Sequence, residues 1–218
     1  MKKLIIFDLD GTLLDTVPDL LITLNTTLEK FNLKTLNREE ILAKLGYGAK
    51  KLVELAVGDI PTEDFEKVYA DYCVRLANCD NSLTNLYDGL DVTLKALKND
   101  GYKLAVVSNK PDDAVQVVCK DKLTEYGFDF VMGNRPGEFN PKPDKSCVEY
   151  CLKQVGISKE DAIYVGDSEV DVQTFINSDI DGIAVLWGFR GKEILEETGA
   201  IRFASTGAEL YDIIKSLG

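Results

Sequence analysis

Two patterns of apolar and polar positions divide the chain. Leu4, Ile5 and Ile6 form an unbroken apolar run, the mark of a strand buried on both faces, and it ends in the stretch FDLDGTLLDT of residues 7–16. From residue 17 the strand signal gives way to helical spacing. Val17, Leu20, Leu21, Leu24, Leu28 and Phe31 share one face, with Pro18 and Asp19 where a first turn favours them. The same periodicity predicts helices over 37–45, capped by Asn37, over 49–57 after the Gly46-Tyr47-Gly48 break, and over 61–77 with Thr62 as the cap.

From Asp88 the texture alternates. A helix predicted over 88–99 stops before Gly101, and KLAVV at 103–107 reads as a second buried strand that ends at Ser108 and Asn109. FDFVM at 128–132, AIYV at 162–165 and GIAVL at 182–186 are three more, each separated by a helical segment. Strands alternating with helices make parallel βαβ units, so the fold class is α/β with an open parallel sheet. The helices of the first part interrupt that sheet after its first strand. The expected organisation is a core domain of residues 1–16 and 83–218 carrying an inserted α-helical cap domain of residues 17–82, with no internal repeat.

Ligands of open parallel sheets bind beyond the carboxyl ends of the strands. The first predicted strand ends in Asp8 and Asp10 and the second in Ser108 and Asn109; the third leads by a loop to Lys142, and the fourth runs into GDSEVD with Asp167 and Asp171. Asp8 and Asp10 are two apart, and Gly11 lets the backbone turn out of the strand. Two carboxylates about 4 Å apart repel by roughly 4 kcal/mol at an effective dielectric near 20, so ionising both calls for a cation. Three carboxylates suit Mg²⁺, which takes oxygen ligands. A fixed lysine, with donors from Ser108 and Asn109, suits the oxygens of a transferring phosphoryl group, and one carboxylate can attack phosphorus to form an aspartyl-phosphate.

Composition narrows the choice. The 218 residues are 45% hydrophobic and 28% charged, ordinary for a globular protein, but 37 Asp and Glu against 25 Lys and Arg give a formal charge of -12. Such a molecule repels nucleic acid and anionic membranes, and no apolar run is long enough for a signal or a membrane span, so a cytoplasmic protein is expected. The five cysteines form no CxxC pair and read as reduced, mostly buried residues. With no histidine, acid–base work falls to carboxylates and lysine.

DLDGT at 8–12, VVSN at 106–109, PKPD at 141–144 and GDSEVD at 166–171 resemble, in order and spacing, the four motifs of the haloacid dehalogenase superfamily. LGYG at 45–48 and VLWGFR at 185–190 resemble its phosphoglycolate phosphatase group. The resemblance covers nearly the whole chain and implies a Rossmann-like core with an inserted cap. It also implies a Mg²⁺-dependent phosphatase acting on a small phosphorylated metabolite, as a monomer or homodimer. By that likeness Asp8 is nucleophile and metal ligand. Asp10 protonates the leaving oxygen, activates water and lends its carbonyl to the metal; Asp167 completes the metal site with Asp171 in support. Thr12, Ser108, Asn109 and Lys142 bind phosphate. Cap residues Gly46, Tyr47 and Lys50 are the expected substrate selectors, with Lys50 and Lys51 offsetting the negative field. Two departures stand out: LYDG at 86–89 lacks the usual prolines, and Phe139-Asn140 stands where a basic residue is common. A sugar-phosphate mutase, a pyrophosphatase and a non-catalytic binding protein on the same fold are the alternatives.

Overall fold

The computed structural model describes residues 2–218. The first strand, β1 (Leu4–Phe7), is fully buried and central in a six-stranded parallel sheet. The order is β5 (Phe130–Asn134), β4 (Lys103–Pro111), β1, β6 (Ala162–Gly166), β7 (Asp181–Val185), β8 (Phe203–Ala204). Because side chains alternate along a strand, Ile5 and Phe7 enter one apolar cluster while Leu4 and Ile6 enter another on the opposite face. Helices α5 (Leu90–Asn99), α6 (Asp112–Lys122) and α10 (Gly207–Leu217) cover the first face; α7 (Ser146–Val155), α8 (Glu169–Ser178) and α9 (Lys192–Thr198) cover the second. Burial of both faces of β1 explains its continuous apolar run.

Between β1 and α5 the chain forms a ribbon strand β2 (Leu14–Asp15) and then α1 (Val17–Lys30), α2 (Arg38–Leu42), α3 (Ala49–Val57) and α4 (Thr62–Ala77). These four helices bury a third cluster of their own, including Leu24, Leu28, Ile41, Val53, Val68 and Tyr72, to which α6 adds Ala114. The chain leaves and returns through a short antiparallel ribbon, in which β2 pairs with β3 (Asn85–Leu86). Asn37 caps α2 as expected, in a reciprocal box with Glu40. Thr62 does not cap α4: Pro61 occupies that position and Thr62 is the first helical residue.

The apolar runs located the sheet, but not every boundary. β4 continues past its apolar segment to Pro111 because backbone pairing with β5 resumes at Pro111–Asn134 after a register shift, so Ser108, Asn109 and Lys110 are polar side chains buried on a strand. β5 begins two residues later than FDFVM suggests, and α5 two residues after Asp88, with Gly89 at its cap in a left-handed conformation (φ 79°). The two-residue strands β2, β3 and β8 are too short for any period to register. Among the described residues no helix is long and apolar enough to cross a membrane.

The strand order reverses at β1, since the chain builds outward to β4 and β5 and then returns to β6 on the other side. That reversal opens a crevice at the carboxyl ends of β1, β4 and β6.

Packing of α8 against the sheet is tight. A methyl group on Gly182 of β7 would lie 2.2 Å from the Phe175 ring of α8. Gly182→Ala should lower stability by about 1–3 kcal/mol through overpacking, read as the urea midpoint, and adding Phe175→Leu should recover part of the loss. An unchanged midpoint in Gly182→Ala would contradict that packing.

Candidate active site

Three strand ends and one loop converge here. β1 delivers Asp8 and Asp10, β4 delivers Ser108, Asn109 and Lys110, β6 delivers Asp167 with Asp171 one turn into α8, and the loop after β5 delivers Lys142. Lys142 is the hub. Its ammonium lies 2.8 Å from Asp8 Oδ1 and 2.7 Å from Asp171 Oδ1, and donates to the Tyr164 hydroxyl at 2.9 Å. Only 2% of its side chain is exposed. Burial works against that charge, but the Asp171 and Asp8 carboxylates outweigh it and hold the lysine above its ordinary pKa.

Each carboxylate has a distinct setting. Asp171 accepts at Oδ2 from the Ser168 hydroxyl (2.6 Å) and from the Ser168 and Asp167 N–H groups, while Oδ1 faces Lys142 and Tyr164. Its oxygens are therefore committed to protein donors, which suits support of the site. Asp167 accepts from the Thr12 hydroxyl at 2.8 Å and the Phe189 N–H at 2.7 Å. A Cβ on Gly11 or Gly188 would meet an Asp167 oxygen at 2.5 or 2.4 Å, so only glycine lets these two backbones close around that carboxylate. Burial, and then the charge of Asp171, push the Asp8 carboxyl up to about 7, Lys142 opposing; the same two causes put Asp167 well above the usual carboxylate range.

Ligand oxygens of Asp8, Asp167 and Asp171 all lie within 4.8 Å of one another, and all three residues are buried. Around them stand four carboxylates, counting Asp10, against two ammoniums, Lys142 and Lys110. With all four ionised the site carries an excess of two negative charges, and that excess and the all-oxygen donor set fit a hard divalent cation such as Mg²⁺. Asp8 and Asp167 are the residues that would hold it.

Most of the residues expected at the site do meet there, with five differences. Thr12, expected on phosphate, commits its hydroxyl to Asp167. Asn109, also expected there, clamps the Lys142 backbone: it accepts from the Lys142 N–H at 2.8 Å and donates to the Lys142 carbonyl at 3.0 Å. Of Gly46, Tyr47 and Lys50, expected to select substrate, only Gly46 lines the cavity. Tyr47 is 47% exposed, Lys50 sits over the Phe65 ring (5.9 Å), and Lys51 pairs with Glu54. The reason is helical phase: α3 turns Ala49, Leu52 and Val53 inward, so Lys50 and Lys51 face out.

Two residues escaped the sequence reading. Lys110, whose only sequence signal is its place after Ser108-Asn109, lies 3.0 Å from Asp10. Arg190 grips Glu169 through two nitrogens (2.7 and 3.2 Å) and donates to the Leu42 and Leu45 carbonyls of the helical segment. Its neighbour Phe189 holds Asp167, so one short stretch joins a metal-type ligand to the helices above it.

A cavity of about 40 Å³ lies between the two parts, room for about three waters. Its floor is polar, with Asp8, Asp10, Ser108, Asn109 and Lys110; its roof is apolar, with Leu20, Leu45, Ala49, Leu52, Tyr72 and Leu76.

Residues 5–185 match the haloacid dehalogenase-like hydrolases. Phosphoglycolate phosphatase 1 of Pseudomonas aeruginosa is 34% identical over 207 residues, 90% of this chain and 74% of the relative. Phosphoglycolate phosphatase of Aquifex aeolicus is 31% identical over 86% of both chains. A crystal structure from Lactobacillus delbrueckii subsp. bulgaricus, provisionally assigned as a phosphoglycolate phosphatase, superposes with a TM-score of 0.88 at 33% identity, covering 98% of this chain and 99% of that one.

The raised carboxyls link metal binding to protons. Asp8 moves from an unfolded value of 3.8 to about 7, so between these limits the folded chain binds more protons than the unfolded one and loses stability from this group as pH rises. A divalent cation displaces those protons. The rise in Tm on replacing EDTA with Mg²⁺ should therefore be small near pH 5 and grow to on the order of 5 °C by pH 8, at a hundredfold excess over Kd. A rise of equal size at both pH values would count against protonated carboxyls at the site.

Proposed function

Because the chain belongs to the haloacid dehalogenase-like hydrolase family, we propose that it is a Mg²⁺-dependent phosphatase that hydrolyses a small phosphomonoester through an aspartyl-phosphate on Asp8. The phosphoglycolate phosphatases among its relatives support that substrate class. The observation that carries the reading is the contact of Asp8 with the buried Lys142 ammonium at 2.8 Å, at the sheet's carboxyl edge and next to a second buried carboxylate, Asp167.

The steps follow from these placements. The Ser108 hydroxyl receives a phosphoryl oxygen, while Lys142, its three donors held by Asp8, Asp171 and Tyr164, keeps Asp8 aligned and lends its charge to the phosphoryl group. The Asp8 carboxylate bonds to phosphorus as the bond to the leaving alcohol breaks, and Asp10 passes its proton to that alcohol's oxygen. Asp10 then takes a proton from the water that attacks phosphorus, the bond to Asp8 breaks, and phosphate leaves. When bound, the cation neutralises charge on the phosphoryl oxygens. Asn109 and Asp171 act by holding Lys142 in place.

In this reading residues 17–82 are a cap over a core of 1–16 and 83–218. The cap supplies the apolar roof over the polar floor, which excludes water from bound substrate, and moves aside to admit it. A mutase or pyrophosphatase needs a grip on a second phosphate, and among the described residues lining the cavity a single ammonium, Lys110, is the only cation to supply it. A non-catalytic binding protein would release no phosphate.

Asp8→Asn should abolish phosphate release from phosphoglycolate or an aryl phosphate while leaving the far-UV spectrum unchanged, since an amide cannot form the phosphoenzyme. Near wild-type turnover in a pure preparation would remove Asp8 as nucleophile. Lys142→Ala should slow turnover by about 10² or more at saturating substrate and Mg²⁺, as for loss of one preorganised donor. An undiminished rate would make Lys142 a structural counter-ion only.

A further inference from the structure

We propose, resting on the phosphatase reading above, that Lys110 is the substrate-selecting residue: its ammonium receives a carboxylate on the leaving alcohol, so the preferred substrates are short phosphomonoesters whose leaving group is itself an anion. Lys110 lies on the polar end of β4 with 5% of its side chain exposed, and a buried ammonium is costly unless its charge and its donors are met. Asp10 Oδ1, at 3.0 Å, is its one partner among the described residues. An ammonium carries three donors. Two are left for a ligand in the cavity that Lys110 lines.

The neighbouring cations are already engaged. Lys142 is held by Asp8, Asp171 and Tyr164, Arg190 by Glu169 and two carbonyls, and Lys50 and Lys51 lie outside. Among the described residues Lys110 is the only cation lining the cavity, and the roof above it is apolar. A carboxylate on the substrate therefore has one charge partner within reach.

Its position suits that partner. Asp10 gives the leaving oxygen its proton, so the carbons beyond that oxygen extend past Asp10, where the Lys110 ammonium lies. The small cavity limits the leaving group to a few atoms. In a chain of formal charge -12, a buried local cation also offsets the field that opposes an anionic substrate. A lysine that served only to pair Asp10 would affect every substrate alike.

That difference is the test. Phosphoglycolate and ethyl phosphate match in length and differ in the carboxylate, and kcat/KM for each is measured with wild type, Lys110→Met and Lys110→Gln in saturating Mg²⁺. Wild type should prefer phosphoglycolate, and both variants should lose about tenfold to a hundredfold more activity on it than on ethyl phosphate, the scale of one hydrogen bond to a charged group. Equal losses on the two esters would overturn the proposal and leave Lys110 as a positioning residue for Asp10, with the phosphatase reading intact. A wild-type preference for ethyl phosphate would also overturn it. If a variant fails to fold, the other variant and the wild-type preference still decide. Release of phosphate from neither ester, nor from an aryl phosphate, would overturn the phosphatase reading and this proposal with it.

Discussion

A cluster of carboxylates at the end of a fully buried strand is tolerable only if cations are built in beside it, and one side chain meets most of that need. Lys142 reaches Asp8, Asp171 and the Tyr164 hydroxyl from a loop with no regular structure of its own. Its ammonium keeps its charge because two carboxylates outweigh its burial. Removing it would leave the nucleophile candidate and Asp171 as neighbouring buried charges without a counter-ion. Much of the surrounding polar structure serves that loop: Asn109 pairs with the Lys142 backbone on both sides, and Ser168 fixes Asp171.

The balance is incomplete by design of the residues present. Lys142 and Lys110 offset two of four carboxylates, and the deficit appears as raised pKa values at Asp8 and Asp167, the pair placed to share a cation. A site that holds protons in place of metal gains affinity for metal as pH rises. Gly11 and Gly188 matter for the same reason, because the backbone closes on Asp167 only where no Cβ intervenes.

Floor and roof are joined by a few side chains. Phe189 donates its N–H to Asp167 and packs its ring against the helical cluster; Arg190 next to it ties Glu169 to the carbonyls of Leu42 and Leu45. Gly48 approaches the Asn109 carbonyl so closely that a Cβ would sit 2.8 Å from it. These contacts place the backbone and side chains of the helical segment directly against Asn109 and against Phe189, which holds Asp167.

The one-dimensional pattern was enough for the parallel sheet, the helices between its first two long strands and most of the residues that meet at the candidate site. Buried strands must be apolar runs, helices must repeat at 3.6, and polar residues at the ends of parallel strands have one edge to go to. Asp8, Asp10, Asp167, Asp171 and Lys142 were readable for that reason. What each side chain touches was not. Thr12 turned to Asp167, Asn109 to the Lys142 backbone, and Tyr47 and Lys50 away from the cavity, because register and helical phase, set by packing across the fold, decide which face a residue presents. Lys110 and Arg190 acquire meaning only through partners 100 and 21 or more positions away in the chain. Local sequence carries no trace of such pairings; they exist once β4, the loop after β7 and the helical segment are brought together around β1.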